Sequence, residues 1–210
     1  MKKQKIIAIG DTDAPYHPLE NIASLDVLLC DHQVIFTDDY AYFLKLSDFS
    51  LCICYVDAFA NAGKPPLSCQ QAAALKEYLK QGGNMLSFHN GISLQDTPGL
   101  SDVMGARFTH HPPYDELQIR IKTGHPVTDG VQDFTISDEP YHFEVPGVLD
   151  LLASYEYHGR LLPAAWERKV GGGTLIYLMP GHDHTAFQCE SYRRLIQNSV
   201  NYLQPIGTSL

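Results

Sequence analysis

The chain has 210 residues, 44% of them hydrophobic, and a formal net charge of −9. This size and composition predict a folded domain with a substantial core, and the negative charge without any basic stripe argues against a nucleic-acid partner. Because no apolar run approaches the roughly 20 residues of a membrane-spanning helix, no membrane partner is expected either.

Cysteine usage indicates the compartment. The five cysteines are an odd number and include no C-x-x-C pair, so neither a disulfide framework nor a cysteine zinc site is predicted. Most lie among apolar neighbours, as core thiols do. A reducing cytoplasm is the simplest location.

The first ninety residues alternate between strands and helices. Ser68 and Gln71 are spaced as a capping box before a helix that covers Ala72 to Lys80 and ends at Gly82-Gly83. The other predicted elements here are a helix over Leu19 to Leu29 and strands at Lys5 to Gly10, Gln33 to Thr37, Leu51 to Val56 and Asn84 to Phe88. This alternation predicts a parallel sheet with helices on both faces.

The middle of the chain has strand patterns with little helix between them. Strands are predicted at Arg107 to Thr109, Glu116 to Ile121, Phe134 to Ser137, Val148 to Tyr155 and Leu161 to Glu167. A buried strand over Thr174 to Met179 and a last helix over Phe187 to Leu203 restore the α/β pattern. We therefore predict one α/β domain over residues 1–210, with a β-rich insertion in its C-terminal half.

Polar residues follow four of the predicted parallel strands. Ligands of open parallel sheets bind beyond the carboxyl ends of the strands, so these loops should converge. The residues are Asp11, Asp13 and His17 after the first strand, Asp57 after the third, His89 and Asn90 after the fourth, and His182, Asp183 and His184 after the last. Any single histidine among them could equally be a hydrogen-bonded loop residue.

The segment from Ser87 to Gly91 (SFHNG) predicts a sharp strand-to-helix turn. Such an elbow projects one side chain over the sheet edge, beside free backbone N–H groups. Nucleophilic enzymes place serine or cysteine there, whereas this chain has His89. The alternative is a glycine-containing turn in which His89 only caps the helix.

A second chemical segment runs from Asp138 to His142 (DEPYH) after a predicted strand. Glu139 could act as a general acid or base, and Tyr141 could donate a hydrogen bond to a sugar hydroxyl or an oxyanion. The alternative is a solvated acidic turn. His110 and His111 could border the same pocket or lie in solvent.

These residues divide into three predicted roles. The catalytic candidates are His89, Glu139, His182 and Asp183, and the substrate-binding candidates are His17, Asp57, Asn90 and Tyr141. Three ligands from among His17, His89, His182 and Asp183 would suit a catalytic zinc or another divalent metal ion. No H-x-x-x-H spacing supports a metal locally, and no organic cofactor is expected.

Several motifs carry a family resemblance. They are Gly82 to His89, His125 to Gly130 (HPVTDG), Asp138 to Tyr141, Pro163 to Trp166, and Gly173 through Asp183. In their order and spacing the chain resembles the trehalose-utilisation (ThuA-like) family, a branch of the class I glutamine amidotransferase-like superfamily. The resemblance implies a flavodoxin-like core with a β-insertion, and it implies that His89 stands where true amidotransferases have their cysteine.

The resemblance points to carbohydrate metabolism without cysteine-dependent glutaminase activity. The first hypothesis is an enzyme, a hydrolase or isomerase, acting on a sugar or keto-sugar. The second is a non-catalytic domain that only binds a carbohydrate ligand. A third, a hydrolase using Cys54, is disfavoured because apolar neighbours raise a thiol pKa. A homo-oligomer is expected, as is common for such domains.

Overall fold

The computed structural model describes residues 3–58 and 67–204. Their main feature is a nine-stranded sheet in the order β2-β1-β3-β4-β11-β10-β9-β6-β7, with β5 and β8 forming a separate pair. The strands are β1 (Lys5–Gly10), β2 (Gln33–Thr37), β3 (Leu51–Tyr55), β4 (Met85–Phe88), β5 (Arg107–His110), β6 (Asp115–Ile121), β7 (Phe134–Asp138), β8 (His142–Glu144), β9 (Asp150–Tyr157), β10 (Arg160–Val170) and β11 (Gly173–Leu178).

One half of the sheet is parallel. β1 lies between β2 and β3, β4 follows β3, and β11 follows β4, all in parallel register. Strands β3, β4 and β11 are buried along their whole length, which explains their continuous apolar sequences. The fold class is as predicted: an α/β protein with a large, parallel-rich, flavodoxin-like sheet flanked by helices.

The other half of the sheet is antiparallel and corresponds to the predicted β-rich insertion. β10 pairs with β11 and β9, and β6 pairs with β9 and β7, all in antiparallel register. β9 runs in the same direction as β11, because β10 is antiparallel to both. β7 in turn runs in the same direction as β9, because β6 is antiparallel to both. The carboxyl end of β7 therefore points to the same edge of the sheet as the ends of the parallel strands.

The helices confirm one prediction closely. The helix α1 (Leu25–Leu28) is a single turn, and α2 (Cys69–Lys80) and α3 (Glu190–Leu203) are longer. At the start of α2 the Ser68 side chain accepts from the Gln71 backbone N–H, and the Gln71 side chain accepts from the Ser68 N–H. This is the capping box that the sequence predicts.

The helix predicted over Leu19 to Leu29 is wrong as a continuous element. A 3₁₀ turn, Leu19–Ile22, precedes α1. Leu19, Ile22, Leu25 and Leu29 are all buried, so the segment keeps one apolar face although it forms two short elements.

Smaller differences concern element ends. The last helix begins at Glu190, after a 3₁₀ turn at Ala186–Gln188, instead of at Phe187. β9 begins at Asp150, since Val148 is almost fully exposed after the Pro146-Gly147 turn. The short strand β8 has no counterpart in the predicted set. Among the described residues, no helix has the length and apolar character needed to cross a membrane.

Candidate metal centre

Four side chains from separate loops meet at the carboxyl edge of the sheet. His17 follows β1, His89 follows β4, Glu139 follows β7, and His182 follows β11. One nitrogen or carboxylate oxygen from each lies within 4.8 Å of the corresponding atoms of the other three. Of the four predicted metal-ligand candidates, this group contains His17, His89 and His182 but not Asp183, and it adds Glu139, for which the sequence suggests an acid or base role.

The spacing of these atoms suits a metal ion. Glu139 Oε2 lies 3.3 Å from His89 Nε2 and 3.0 Å from His182 Nδ1, and His182 Nδ1 lies 3.2 Å from His17 Nε2. Bonds of about 2.0–2.1 Å from a central ion place tetrahedral ligand atoms about 3.3 Å apart. An ion at the centre of this group could therefore reach all four side chains with small adjustments.

His89 is held in place by its backbone and by one ring nitrogen. Its φ is +33°, an uncommon value for a residue with a Cβ, at the tight turn after β4. The fully buried ring donates through Nδ1 to the Met179 carbonyl oxygen at 2.9 Å. Nε2 is buried and makes no hydrogen bond to any described residue, so its lone pair is free to bind a ligand.

His17 is oriented by a carboxylate. Its Nδ1 lies 2.9 Å from Asp57 Oδ2, and because a carboxylate oxygen accepts, Nδ1 carries the proton and Nε2 the lone pair. Burial lowers the pKa of His17 in spite of this hydrogen bond, which keeps the ring neutral. A histidine that donates its second N–H to a carboxylate is the usual arrangement around a metal ligand.

Glu139 and His182 form the charged part of the group. Burial opposes ionisation of Glu139, but the contacts with His182 and His89 outweigh it and lower the pKa of this carboxyl. Conversely, contact with Glu139 outweighs burial and raises the pKa of His182. The second carboxylate oxygen of Glu139 lies 3.4 Å from Nδ1 of His111, which borders the cavity, one of the two positions that the sequence left open for it.

Asp138 is a positioning residue for which the sequence predicts no role of its own. It is almost fully buried, and its side chain accepts from the backbone N–H groups of Glu139 at 2.8 Å and Gly181 at 2.7 Å. Burial raises its pKa. It ties the end of β7 to the loop after β11, and the adjacent acids in the DEPYH segment were the only signal for it.

The group opens on a cavity of about 520 Å³. His17, Glu139 and His182 reach its wall, whereas His89 lies beneath it. The cavity is otherwise mostly aromatic or apolar, and its lining residues are Pro15, Tyr16, Asp57, Phe108, His110, His111 and Tyr141. A mostly apolar cleft with a few converging polar groups is typical of a small-molecule site.

The other predicted site residues lie at different depths. Tyr141 lines the cavity, and its ring centroid is 4.3 Å from that of His89. Asn90 is fully buried and donates to the Tyr55 carbonyl oxygen. Asp183 accepts from Tyr114 and Thr185 and lies outside the four-ligand group. Asp13 and His184 are exposed.

The arrangement does not favour a thiol nucleophile. Cys54 is fully buried in β3, and burial raises the pKa of its thiol to about 12. A thiol with such a pKa is protonated at neutral pH and is a poor nucleophile. This agrees with the prediction made from its apolar neighbours.

Comparison with known proteins identifies the family and fold. The family model described as "ThuA: Trehalose utilisation" matches residues 20–203. ThuA-like proteins of known structure from Bacteroides uniformis and Parabacteroides merdae are each 16% identical, with TM-scores of 0.78 and 0.79; each match covers 100% of this chain and 95% or 92% of the other. No curated protein matches.

A larger protein contains a similar fold. The chain matches part of a β-galactosidase from Bacillus circulans sp. alkalophilus, with 14% identity and a TM-score of 0.64. The match covers 93% of this chain but 30% of the β-galactosidase. At this identity the likeness concerns the fold alone.

Proposed function

Because the chain belongs to the ThuA family, which is described by trehalose utilisation, we propose that it binds a divalent metal ion and processes a sugar or keto-sugar at that ion. The ligands are His17, His89, Glu139 and His182. The observation that carries the proposal is the convergence of these four side chains, from loops far apart in sequence, at a ligand-sized cavity that three of them line.

The charge of the site supports a cation. Asp57, Asp138 and Glu139 are all buried at the group, and within residues 3–58 and 67–204 their charged neighbours are histidines, with no lysine or arginine in ion-pair contact. Buried carboxylates need a compensating partner, because burial without one is costly. A divalent ion supplies that compensation without requiring protonated histidines.

The hydrogen bonds of two ligands support a metal ion over a simple polar network. His17 and His89 each commit Nδ1 to an oxygen acceptor, so that Nε2 of His17 faces His182 and Nε2 of His89 faces Glu139. In a purely structural network the buried Nε2 of His89 would be expected to make a well-formed hydrogen bond, whereas its contact with Glu139 Oε2, at 3.3 Å, does not form one. A metal ion satisfies this nitrogen directly.

A divalent ion would polarise a carbonyl or hydroxyl oxygen of the ligand. The chain itself supplies the surrounding chemistry. Tyr141 presents a phenol hydroxyl to bind a ligand oxygen, and its pKa is raised by burial, so that it remains a donor at neutral pH. His111 and Asp57 border the same cavity; the Asp57 carboxylate can accept a hydrogen bond from a sugar hydroxyl, and the His111 ring can donate or accept one.

The first test is the metal content of the full chain, purified without a histidine tag or added metal. We expect close to one equivalent of a divalent transition metal per chain, and loss of it in His89→Ala. His184→Ala is the matched control, because His184 is exposed and outside the group. Less than about a tenth of an equivalent, with no uptake of zinc, manganese or cobalt from solution, would show that the metal assignment is wrong.

The second test concerns the ligand. Thermal-shift measurements with mono- and disaccharides and their keto forms should show stabilisation that depends on bound metal and disappears with a chelator. Metal-dependent binding without chemical change of any sugar would favour the alternative hypothesis, a non-catalytic carbohydrate-binding domain. Binding that is indifferent to metal would contradict the proposed role of the ion.

A further inference from the structure

Tyr141 has an unused hydroxyl at the cavity. The side chain is 2% exposed, and its hydroxyl makes no hydrogen bond to any described residue. Its backbone is fixed independently, because its carbonyl oxygen accepts from the Tyr155 hydroxyl at 2.7 Å. A buried phenol that is held rigidly and lines a cavity without a partner is poised to bind a ligand oxygen.

The cavity beside the four-ligand group leaves room for a fifth ligand on the proposed metal ion. A tetrahedral ion with four protein ligands is closed, as in structural zinc sites. Here, however, three of the four ligand residues form the wall of an open cavity, and the fourth, His89, lies below it. An ion held from that wall faces the cavity, where a ligand oxygen can raise its coordination number above four.

From these two features we propose that the ligand meets the site through two neighbouring oxygens. One oxygen occupies the cavity-side position on the metal, and the next accepts a hydrogen bond from the Tyr141 hydroxyl. Tyr141 follows Glu139 by two residues and lines the cavity, and its ring lies against that of His89, so the phenol borders the four-ligand group. The inference rests on the proposed metal site and narrows its ligands to vicinal diols and hydroxyketones.

The experiment uses the full chain loaded with one equivalent of Mn²⁺, whose coordinated water is detected by water-proton relaxation. The probes are cis-1,2-cyclohexanediol and 2-hydroxycyclohexanone, which have two neighbouring oxygens, and cyclohexanol, which has one. We expect strong relaxation from exchangeable water on the bound ion. The two-oxygen probes should lower this water-proton relaxation, because they displace the water, at concentrations where cyclohexanol has little effect.

Tyr141→Phe tests the second contact. Losing one hydrogen bond should weaken binding of the two-oxygen probes about five- to tenfold, while the Mn²⁺ dissociation constant stays within about twofold. Tyr42→Phe is the matched control, because Tyr42 packs against Phe49 away from the cavity. Melting curves of both variants establish that each is folded.

The outcomes separate this inference from the proposed function. If Mn²⁺ and the other divalent ions do not bind, the metal site itself is wrong and the inference fails with it. If Mn²⁺ binds without exchangeable water, if cyclohexanol competes as well as the diol, or if Tyr141→Phe binds all probes normally, the metal site stands and the two-oxygen inference is overturned.

Discussion

At the residue scale, the positive φ of His89 marks the centre of the site. A left-handed conformation at a non-glycine residue costs free energy, and such conformations cluster at functional positions. The strain directs the His89 ring under the cavity and places Nε2 towards Glu139. As a proposed metal ligand, His89 would differ in role from the serine nucleophile that strand-to-helix elbows carry in hydrolases.

Glu139→Gln should weaken metal binding. The substitution preserves the shape of the side chain but removes the charge that faces His89 and His182. Changes around metal ligands typically cost about 10- to 100-fold in affinity, and we expect at least that much for a ligand. Metal titration monitored by calorimetry measures the effect. Glu116→Gln, on an exposed position of β6, should bind metal as the wild type does.

His182 gives the metal-free protein a distinct pH dependence. Its pKa is raised in the folded state, where Glu139 favours the protonated ring. This contribution to stability is fully present below the unfolded pKa of about 6.5 and is lost as pH rises through the higher folded value. The stability advantage of the metal-free wild type over His182→Asn should therefore be largest near pH 6 and decline above it.

With metal bound, the stability advantage of the wild type over His182→Asn should change with pH in the opposite direction and increase as pH rises. Metal binding requires an unprotonated His182, so the affinity of the wild type should rise with pH over the range in which the proton advantage is lost. Urea unfolding with and without metal between pH 5.5 and 9 measures both trends. A wild-type advantage that is constant over this range would contradict the assigned Glu139–His182 pair.

At the element scale, local sequence signals succeed where local hydrogen bonds decide the structure. The capping box of α2 is such a case, since Ser68 and Gln71 satisfy each other's backbone N–H groups. The predicted helix over Leu19 to Leu29 is instead two short elements, and neither has a side-chain hydrogen bond at its N-cap.

Ser68→Ala should destabilise the protein by about 1 kcal/mol, because removing a helix N-cap typically costs between about 0.5 and 2 kcal/mol. Chemical denaturation of the metal-free protein measures the change. Ser101→Ala, at an exposed turn position, is the control. Equal effects of the two substitutions would mean that the cap contributes nothing to the free energy of unfolding.

At the scale of the whole molecule, the metal site would join the two halves of the sheet. Three of its ligands follow parallel strands, and the fourth, Glu139, follows β7 at the far edge of the antiparallel half. Three strands separate β11 from β7 in the sheet order, yet Asp138 at the end of β7 accepts a hydrogen bond from Gly181 after β11. The antiparallel half must therefore fold back over the parallel edge.

Metal should accordingly stabilise the whole fold. A ligand at 100 times its dissociation constant adds about 2.7 kcal/mol, which corresponds to a rise of roughly 5–11 °C in the melting temperature of a chain of this size. Differential scanning calorimetry of the metal-free and metal-loaded protein measures the rise. His89→Ala should show none, and His184→Ala should show all of it.

The sequence by itself determined the fold class, most strand positions, and the convergence of His17, His89 and His182 at the carboxyl edge of the sheet. Strand periodicity and loop position are local properties, and parallel strands necessarily bring their carboxyl ends to one edge. Only the tertiary structure decided that Glu139 completes the group, that Asp183 lies outside it, and that Asp138 positions both loops. These outcomes depend on how the antiparallel half curves back to the parallel edge, a long-range packing result that no local pattern encodes.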